Sequence, residues 1–389
     1  MCFINKMKKT IATFVLVASA ALSASAVEEP MFRVRAASYN IRCQTSESDS
    51  NNNWANRKSD LVKLVKEIAP DVIGFQEVRS GQYSDLKDQL SRYTFIGAMR
   101  DGSNSEATPV AFLTSRFALL NSGTFWLSAT PNVSGSKKWG NGIEDSGLPR
   151  ICTWTLLKDR TSGGVLCFAS THLDLKEGPR LAGMRLIISS LAGFDAAEVP
   201  IVVVGDMNAL ETEASMLAAI ETMQDSLLVS KTTPTGSWRT YNGFSWKTNE
   251  VSNEAALSTY SASKRSENTS TLGKRIDYIF TSPGTEVESF ATRNDARPGK
   301  EYYPSDHYPV VADLLMPREN DLYTGTARVE ITKDIPYVGY GRYVLTEGAN
   351  LVNDKNLEFV LPAWVERAAV ENGEIVIYTK PRPFKVILR

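Results

Sequence analysis

Histidine and cysteine are scarce in this chain, whose 389 residues include two His and four Cys. That scarcity excludes a small disulfide scaffold, in which Cys exceeds about 8–10% of the residues. The formal charge of −1 excludes a basic excess that would draw the whole molecule to nucleic acid or to an anionic membrane. A hydrophobic content of 42% excludes a disordered chain, and the length allows one large domain with a small one.

A long hydrophobic run is also lacking, because the apolar segment 11–22 is shorter than the ~20 residues of a membrane span. It follows three lysines and precedes Ala24-Ser25-Ala26, which is the pattern of a signal peptide with a small-residue cleavage site. We therefore predict a signal peptide at 1–26, export to the periplasm or the extracellular space, and no transmembrane segment in the mature chain. Loss of its three lysines would change the net charge to −4.

Three cysteines remain in the predicted mature chain, namely Cys43, Cys152 and Cys167. An odd number leaves at least one thiol unpaired in a monomer, which is the oligomeric state that we expect. The favoured interpretation is that they are small buried apolar residues. A Cys152–Cys167 disulfide stays open, since an exported protein meets oxidising conditions.

Short apolar runs rich in Val, Ile and aromatic residues alternate with helical patterns. The runs predict strands at 32–39, 72–75, 110–114, 151–157, 165–170, 201–204, 276–280 and 310–314, with a hairpin at 159–164. Helices are predicted at 57–68, which is followed by Pro70, and at 178–194 and 211–223. Buried strands with interspersed helices indicate a layered α+β sandwich with two sheets inside.

Residues 235–273 are rich in Ser, Thr and Asn and have no long apolar pattern. Loops of this length are usually functional or disordered. Aromatic and basic side chains occur in this one, namely Trp238, Tyr241, Phe244, Trp246, Lys247, Lys264 and Arg265. Two interpretations stay open: a lid on the substrate side of a site, and a variable surface insertion.

A domain boundary is predicted at 317–321, which closes a large domain over 31–316. Five short strand-like runs follow it, at 327–332, 343–346, 357–361, 374–379 and 384–388. They predict a small all-β module over 322–389, of a size that is only marginally stable alone. Its aromatic residues Tyr337, Tyr340, Tyr343 and Trp364 would form its core, which we favour, or bind a glycan, a surface or a protein partner.

Polar side chains lie where several predicted strands stop. Asn40 ends the first strand, Glu77 follows the run 72–75, Asp206 and Asn208 follow the run 201–204, and Asp306 precedes the last strand of the large domain. Taken singly, each is more simply a turn or cap residue. Hard divalent cations need oxygen ligands, and Mg²⁺ usually takes one or two carboxylates, so the set as a whole indicates a metal site.

The two histidines belong to the same set of strand ends. His172 comes directly after the strand 165–170, and His307 follows Asp306. Imidazoles bind phosphate oxygens or act as acid and base near neutral pH. Asp277, at the head of a buried strand, is the natural carboxylate to orient His307.

Six polar blocks occur in a fixed order along the chain: Asn40, Gln76-Glu77, Thr171-His172-Leu173, Gly205-Asp206-Met207-Asn208, the block 275–280, and Ser305-Asp306-His307. In this order they resemble the endonuclease/exonuclease/phosphatase superfamily, which has the fold of pancreatic deoxyribonuclease and bacterial sphingomyelinase, over about residues 31–316. Residues 39–42, 123–128 and 148–154 are most similar to a secreted bacterial branch whose substrate is unsettled.

The resemblance implies a four-layer α/β/β/α sandwich with two central mixed sheets and a site across the top of them. It implies Glu77 as the principal ligand of Mg²⁺, with Mn²⁺ or Ca²⁺ as alternatives, helped by Asn40 and Asp306. Asp206 and Asn208 would position or activate the attacking water or hold a second ion. The two histidines, His172 and His307, would stabilise the charge on phosphorus, with Asp277 orienting His307.

One position departs from the abasic-site endonuclease pattern, because Arg42 stands where that branch has an acidic residue. The departure argues against a DNA-repair role. Arg100 and Arg150 would contact a substrate phosphate or form surface salt bridges, two interpretations that we weigh equally.

The predicted function is therefore hydrolysis of a phosphate mono- or diester by metal- and His-assisted attack of water. The favoured substrate is small or lipid-linked, since the charge is negative and no basic stripe is present. The alternative is an extracellular nuclease, in which the aromatic and basic residues of 235–273 hold DNA or RNA. A silent binding protein and a glycosidase are disfavoured, because neither explains both histidines and the Asn residues.

Overall fold

The computed structural model describes residues 31–103, 105–195, 199–245, 250–259, 273–294 and 302–317, together with the backbone of five strands between 327 and 388. The predicted signal peptide at 1–26 lies outside the described residues. Among the residues that are described, no helix is both long and apolar enough to cross a membrane.

The described residues between 31 and 317 form fourteen strands and five helices. The strands are β1 (Met31–Asn40), β2 (Val72–Gln76), β3 (Val78–Arg79), β4 (Tyr93–Ile96), β5 (Glu106–Ala107), β6 (Val110–Leu113), β7 (Phe117–Trp126), β8 (Ile151–Asp159), β9 (Val165–His172), β10 (Ile201–Asp206), β11 (Gln224–Asp225), β12 (Asp277–Thr281), β13 (Glu286–Thr292) and β14 (Val310–Pro317). The helices are α1 (Trp54–Ile68), α2 (Ser80–Gln89), α3 (Glu177–Asp195), α4 (Ala214–Ile220) and α5 (Asn253–Thr259), with a 3₁₀ turn at Ser50–Asn52.

Two six-stranded mixed sheets form the centre of the molecule. The first sheet has the order β13-β14-β1-β2-β6-β4, and the second has the order β11-β12-β10-β9-β8-β7. Each contains a parallel pair, β1 with β2 and β9 with β10, among antiparallel neighbours. The predicted α+β class with two central mixed sheets is therefore confirmed.

Three hydrophobic clusters separate four layers. One lies between the sheets and joins Val34 and Phe112 of the first sheet to Phe168 and Val202 of the second. Another packs α3 and α4 on the outer face of the second sheet, and the last packs α1 and α2 on the outer face of the first. Helices pack on the outer faces of the sheets because their sequences are amphipathic. In α1, for example, the buried face includes Leu61, Leu64, Val65 and Ile68.

The sheets approach each other closely at Gly74 in β2. A Cβ at this position would lie 2.5 Å from Val204 Cγ2 and 2.7 Å from Ser170 Oγ, both in the second sheet. No ordinary side chain fits at such distances, so the absence of a Cβ allows the two strands to meet face to face.

Several predicted boundaries differ from those observed. The helix predicted at 211–223 is limited to α4, because a turn in which Glu213 N donates to Leu210 O precedes it. Strands β7 and β13 were not predicted, because both lie at sheet edges and alternate buried with half-exposed residues rather than forming an apolar run.

The disulfide that the sequence left open does not form. Cys152 pairs in register with Thr171, and Cys167 pairs with Leu156, so the two cysteines are four residues apart along neighbouring strands. Four residues span about 13 Å of strand, which exceeds the reach of a disulfide. Both are free, buried thiols, and burial raises the pKa of each.

The described backbone beyond residue 326 consists of strands β15 (Ala327–Glu330), β16 (Leu357–Val360), β17 (Val365–Glu371), β18 (Glu374–Thr379) and β19 (Lys385–Leu388). β15 pairs with β16, and β17, β18 and β19 form a three-stranded antiparallel sheet. β17 was not predicted, and the run 343–346 lies outside the described residues. A separate module over 322–389 stays a prediction.

Candidate active site

Strand register brings the predicted polar residues to one edge of each sheet. In the first sheet, Asn40 at the end of β1 is the register partner of Gln76 at the end of β2. In the second sheet, Asp206 at the end of β10 is the partner of both His172 and Asp277. Because these edges of the two packed sheets face each other, residues far apart in sequence lie within hydrogen-bond distance.

Asn40 joins the two sheets at this edge. Its Nδ2 donates to Glu77 Oε1 at 3.0 Å and to Asp206 Oδ2 at 2.9 Å. Glu77 Oε2 also accepts from the backbone N of Cys43 at 2.9 Å. Ser305 Oγ donates to the backbone O of Asn40 at 2.7 Å, which fixes the last polar block beside the first.

His172 lies next to Asn208 and Asp206. Asn208 Nδ2 is 2.9 Å from His172 Nε2 and donates also to Leu173 O at 3.0 Å, so His172 Nε2 is the acceptor of this bond. Asp206 Oδ2 is 3.5 Å from the same Nε2. Asn208 is oriented in turn by its own backbone N, which donates to Asp206 Oδ1 at 2.9 Å.

His307 lies between two carboxylates. Its Nδ1 is 2.8 Å from Asp277 Oδ2, and its Nε2 is 3.7 Å from Asp206 Oδ2. The ring of Tyr241 contacts that of His307 edge-on, with centroids 5.1 Å apart. The imidazole of His307 thus has one carboxylate at Nδ1 and another near Nε2.

The two histidines have opposite electrostatic environments. Burial and the charge of Arg150 hold the pKa of His172 well below its usual value. Burial alone would lower the pKa of His307 as well, but Asp277 and Asp206 outweigh it and hold that pKa well above its usual value. A neutral and a positively charged imidazole at one site are suited to different roles.

The pKa values of two carboxylates at the site are also shifted in opposite directions. Burial raises the pKa of Asp206 to about 7, with Asp277 adding to the effect and His307 opposing it. Burial also acts to raise the pKa of Glu77, but His172, the Cys43 N–H and the Asn40 amide outweigh it and lower that pKa to about 2.

Carboxylate oxygens of Glu77 and Asp206 and a ring nitrogen of His307 all lie within 4.8 Å of one another, and while His307 is protonated the two carboxylates are the ligands of this group. Two carboxylates this close, one buried and one half-buried, are costly unless a cation compensates them, so the pair fits a divalent metal ion. Asp306, also predicted as a ligand, lies next to this set, but its Oδ2 is 3.9 Å from Arg42 Nε. Arg42 is paired mainly with Glu47, at 2.9 Å.

Backbone strain is concentrated around these residues. Arg42, Glu77, Asn208 and Phe244 have positive φ values of 56°, 62°, 48° and 58°, in the left-handed region that non-glycine residues rarely adopt. Such conformations persist where the surrounding structure imposes them, commonly at functional sites.

Arg100 and Arg150 are buried beside the cluster, with exposed fractions of 9% and 6%. Arg100 Nη1 is 2.9 Å from Glu106 Oε2, and Arg150 Nε is 3.7 Å from Asp174 Oδ2. Both arginines line a recess that Glu77 and His172 also line. Because both arginines are buried, the interpretation that they form surface salt bridges is wrong.

Sequence reasoning missed Arg57, which holds the loops of the site together. Its guanidinium is buried and donates to the backbone O of Asn52, Ile41, Arg42 and Pro304, so it ties the segment after Asn40 to the segment before Ser305. An arginine inside an amphipathic helix gave no local signal of this role.

The segment 235–273 is described only in part. Trp238 is fully buried in the core between the sheets, so it is not a stacking residue for a nucleic acid. Tyr241 and Phe244 lie near the site, against His307 and Arg57 respectively. Trp246, Lys247, Lys264 and Arg265 lie outside the described residues.

Comparison with known proteins identifies the class to which this fold and site belong. The profile of the Endonuclease/Exonuclease/phosphatase family matches residues 37–307, which is more than half of the chain. The chain therefore belongs to this family, whose members hydrolyse phosphoesters, and the resemblance to the endonuclease/exonuclease/phosphatase superfamily is confirmed.

Individual relatives agree with this assignment. Nocturnin of Rattus norvegicus is 23% identical over 290 residues, which cover 69% of this chain and 60% of nocturnin, so the chain spans less than two thirds of that relative. An endonuclease/exonuclease/phosphatase family protein from Bacteroides thetaiotaomicron is 26% identical, with a TM-score of 0.62, 74% of this chain covered and 96% of that one. A mannosyl-6-phosphatase from the same species is 27% identical, with a TM-score of 0.61, 72% of this chain covered and 99% of that one.

Proposed function

We propose that this chain is an exported, divalent-metal-dependent hydrolase of phosphate mono- or diesters that acts on a small or lipid-linked substrate. The observation that carries the proposal is the cluster of Glu77, Asp206 and His307 within 4.8 Å, with His172 and Asn208 hydrogen-bonded beside it. Phosphoester hydrolysis needs an oriented water, positive charge on the phosphoryl oxygens and a stabilised leaving oxygen, and this set offers groups for each task.

In the proposed reaction a water oxygen bonds to phosphorus while the bond from phosphorus to the ester oxygen breaks. Asp206, whose pKa burial raises to about 7, accepts the proton of the water. Asn208, whose backbone N–H donates to Asp206, positions that water, because both hydrogens of its Nδ2 are already donated to His172 and to Leu173 O. The departing alkoxide takes up one proton from solvent and Asp206 releases its proton to solvent, so that an alcohol and a phosphate are released and the carboxylate is restored.

His307 carries positive charge towards the phosphoryl group, since the carboxylates of Asp277 and Asp206 favour its protonated form. Asp277 also holds the ring in place through Nδ1, which leaves Nε2 directed to the Asp206 side. Charge-assisted hydrogen bonds of this kind are about twice as strong as neutral ones.

Glu77 would be the principal ligand of the metal ion, with Asn40, Asp306, Asp206 and Asn208 as further candidates. The set is rich in oxygen, which suits Mg²⁺ and also Mn²⁺ or Ca²⁺. When bound, the ion supplies Lewis acidity at a phosphoryl oxygen.

A small substrate is favoured over a nucleic-acid polymer. The similar structure from Bacteroides thetaiotaomicron that is described as a mannosyl-6-phosphatase supports a small phosphate ester, and Trp238 is buried and unavailable for base stacking. The signal-peptide pattern of 1–26 supports export, and the resemblance to a secreted bacterial branch agrees with it.

The test is a panel of phosphate monoesters, phosphate diesters, DNA and RNA, assayed with the purified chain in Mg²⁺, Mn²⁺, Ca²⁺ or a chelator. We expect turnover of small esters, its loss in chelator, and its loss in Glu77→Gln. Glu67→Gln is the matched control, because Glu67 lies on α1 with its side chain 46% exposed. Nucleotide release from polymer with steep salt sensitivity would instead support a nuclease, and activity that survives both chelator and Glu77→Gln would end the proposal.

A further inference from the structure

A small recess, partly open to solvent, lies directly beside the candidate active site. Its walls include Glu77 and His172 of the site and continue into Arg100, Glu106, Thr108 and Arg150. The space is smaller than the ~300–1,000 Å³ of pockets that hold whole small molecules. It therefore suits one chemical group of a substrate rather than a sugar or a base.

The walls carry polar atoms that lack partners. Arg150 Nε and Nη1, His172 Nδ1 and Thr108 Oγ1 are buried, and none has a hydrogen-bond partner among the described residues. His172 Nδ1 carries the ring proton, because its Nε2 accepts from Asn208. Since buried polar groups in proteins are nearly always hydrogen-bonded, these atoms, which belong to three residues that line the recess, leave donors for an acceptor-rich ligand.

The charges around the recess favour an anion at Arg150. Glu106 is paired with Arg100 at 2.9 Å, and Glu77 is the proposed metal ligand. Asp174 neutralises the charge of Arg150 only partly, because its Oδ2 is 3.7 Å from Arg150 Nε and also accepts a hydrogen bond from Gly147 N. A planar guanidinium with free N–H groups is the side chain best suited to hold a phosphate.

We infer that this recess binds the non-esterified oxygens of a terminal phosphate, and that the substrate is accordingly a phosphate monoester. This inference rests on the proposed function. The recess adjoins Glu77 and His172, so a phosphate whose oxygens enter it has its phosphorus at the catalytic cluster. A monoester has three free oxygens and nearly two negative charges at neutral pH, whereas a diester has two free oxygens, one charge and a second substituent that the small recess does not admit.

The experiment compares p-nitrophenyl phosphate with bis(p-nitrophenyl) phosphate, which share a leaving group and differ in one esterified oxygen. For the purified chain in Mg²⁺, we expect kcat/KM to be higher for the monoester. Arg150→Gln should lower kcat/KM for the monoester by about 10²-fold, the usual loss when one donor to a transition-state anion is removed. The loss for the diester should be at least tenfold smaller.

Two more variants separate phosphate binding from folding. Thr108→Val removes one unpartnered hydroxyl at nearly constant shape, so it should keep the stability of the protein and lower the monoester kcat/KM several-fold. Arg35→Gln is the matched arginine control, because Arg35 is exposed and paired with Asp313 far along β1 from the site. Calorimetry with inorganic phosphate in Mg²⁺ gives a readout independent of turnover, and Arg150→Gln should weaken that binding at least tenfold.

The outcomes distinguish the two proposals. If the chain hydrolyses both esters and Arg150→Gln lowers both equally, the monoester inference is wrong while the hydrolase proposal stands. Preference for the diester, or unchanged phosphate binding in Arg150→Gln, also overturns the inference. If no phosphate ester is hydrolysed, the proposed function fails, and the calorimetry alone then decides whether the recess binds phosphate.

Discussion

Replacement of Asp277 by Asn tests the arrangement behind His307 most directly. Asp277 Oδ2 is 2.8 Å from His307 Nδ1, and both side chains are almost fully buried. Asn keeps the shape of the side chain but removes its negative charge, so the protonated imidazole loses the charged partner of its Nδ1. A hydrogen bond to a charged group contributes about 1.5–3 kcal/mol, which corresponds to a factor of about 10–150 in rate if the interaction matters in the transition state.

We therefore expect Asp277→Asn to lower kcat/KM for the best phosphate ester of the panel by about 10–150-fold, measured by steady-state kinetics in saturating Mg²⁺. Asp313→Asn is the control, because Asp313 is also a strand carboxylate with a charged partner, Arg35, but its side chain is half-buried rather than enclosed. Activity of Asp277→Asn within threefold of the unaltered chain, with both proteins folded, would refute the role that we give to this carboxylate.

The remaining predictions concern stability and the metal. Asp225→Ala should lower the free energy of unfolding by about 3–5 kcal/mol in urea titrations, because Arg275 is fully buried and loses the carboxylate whose two oxygens it contacts at 2.5 and 2.6 Å. Gly74→Ala should cost about 1–3 kcal/mol, since its Cβ would lie 2.5 Å from Val204 Cγ2 and force the sheets apart. Addition of Mg²⁺ after chelator treatment should raise the thermal midpoint, because a ligand that binds only the folded state stabilises it.

Each of the two substitutions has a matched control, and all three predictions have a contrary outcome. Glu286→Ala breaks an ion pair with Lys231 that is about half exposed, so it should cost less than about 1 kcal/mol. Gly147→Ala places a Cβ where no atom lies within 4 Å, so it should be close to neutral. Equal losses of stability in Asp225→Ala and Glu286→Ala would contradict the importance of burial for the ion pair. Equal losses in the two glycine variants would contradict the close approach of the sheets at Gly74. A midpoint that Mg²⁺ leaves unchanged would contradict a metal site.

Prediction from the sequence succeeded where a local pattern carried the information. Strands such as β2 and β10 are buried on both faces, so they appear as uninterrupted apolar runs, and α1 shows its core face directly. The edge strands β7 and β13 escaped detection because one face is partly solvated and polar residues interrupt the run. The open question about Cys152 and Cys167 needed the register of β8 against β9, which no local pattern contains.

By itself the sequence determined which side chains end the strands and in what order, and therefore the family and the chemical types at the site. Only the tertiary structure decided which of them meet, as in the 2.9 Å bond between Asn40 and Asp206, whose positions differ by 166. The same holds for the recess, where Arg150 and Thr108 come together with unpartnered polar atoms. The physical reason is that strand ends converge through sheet register and the packing of one sheet on the other, which depend on contacts between residues distant in the chain.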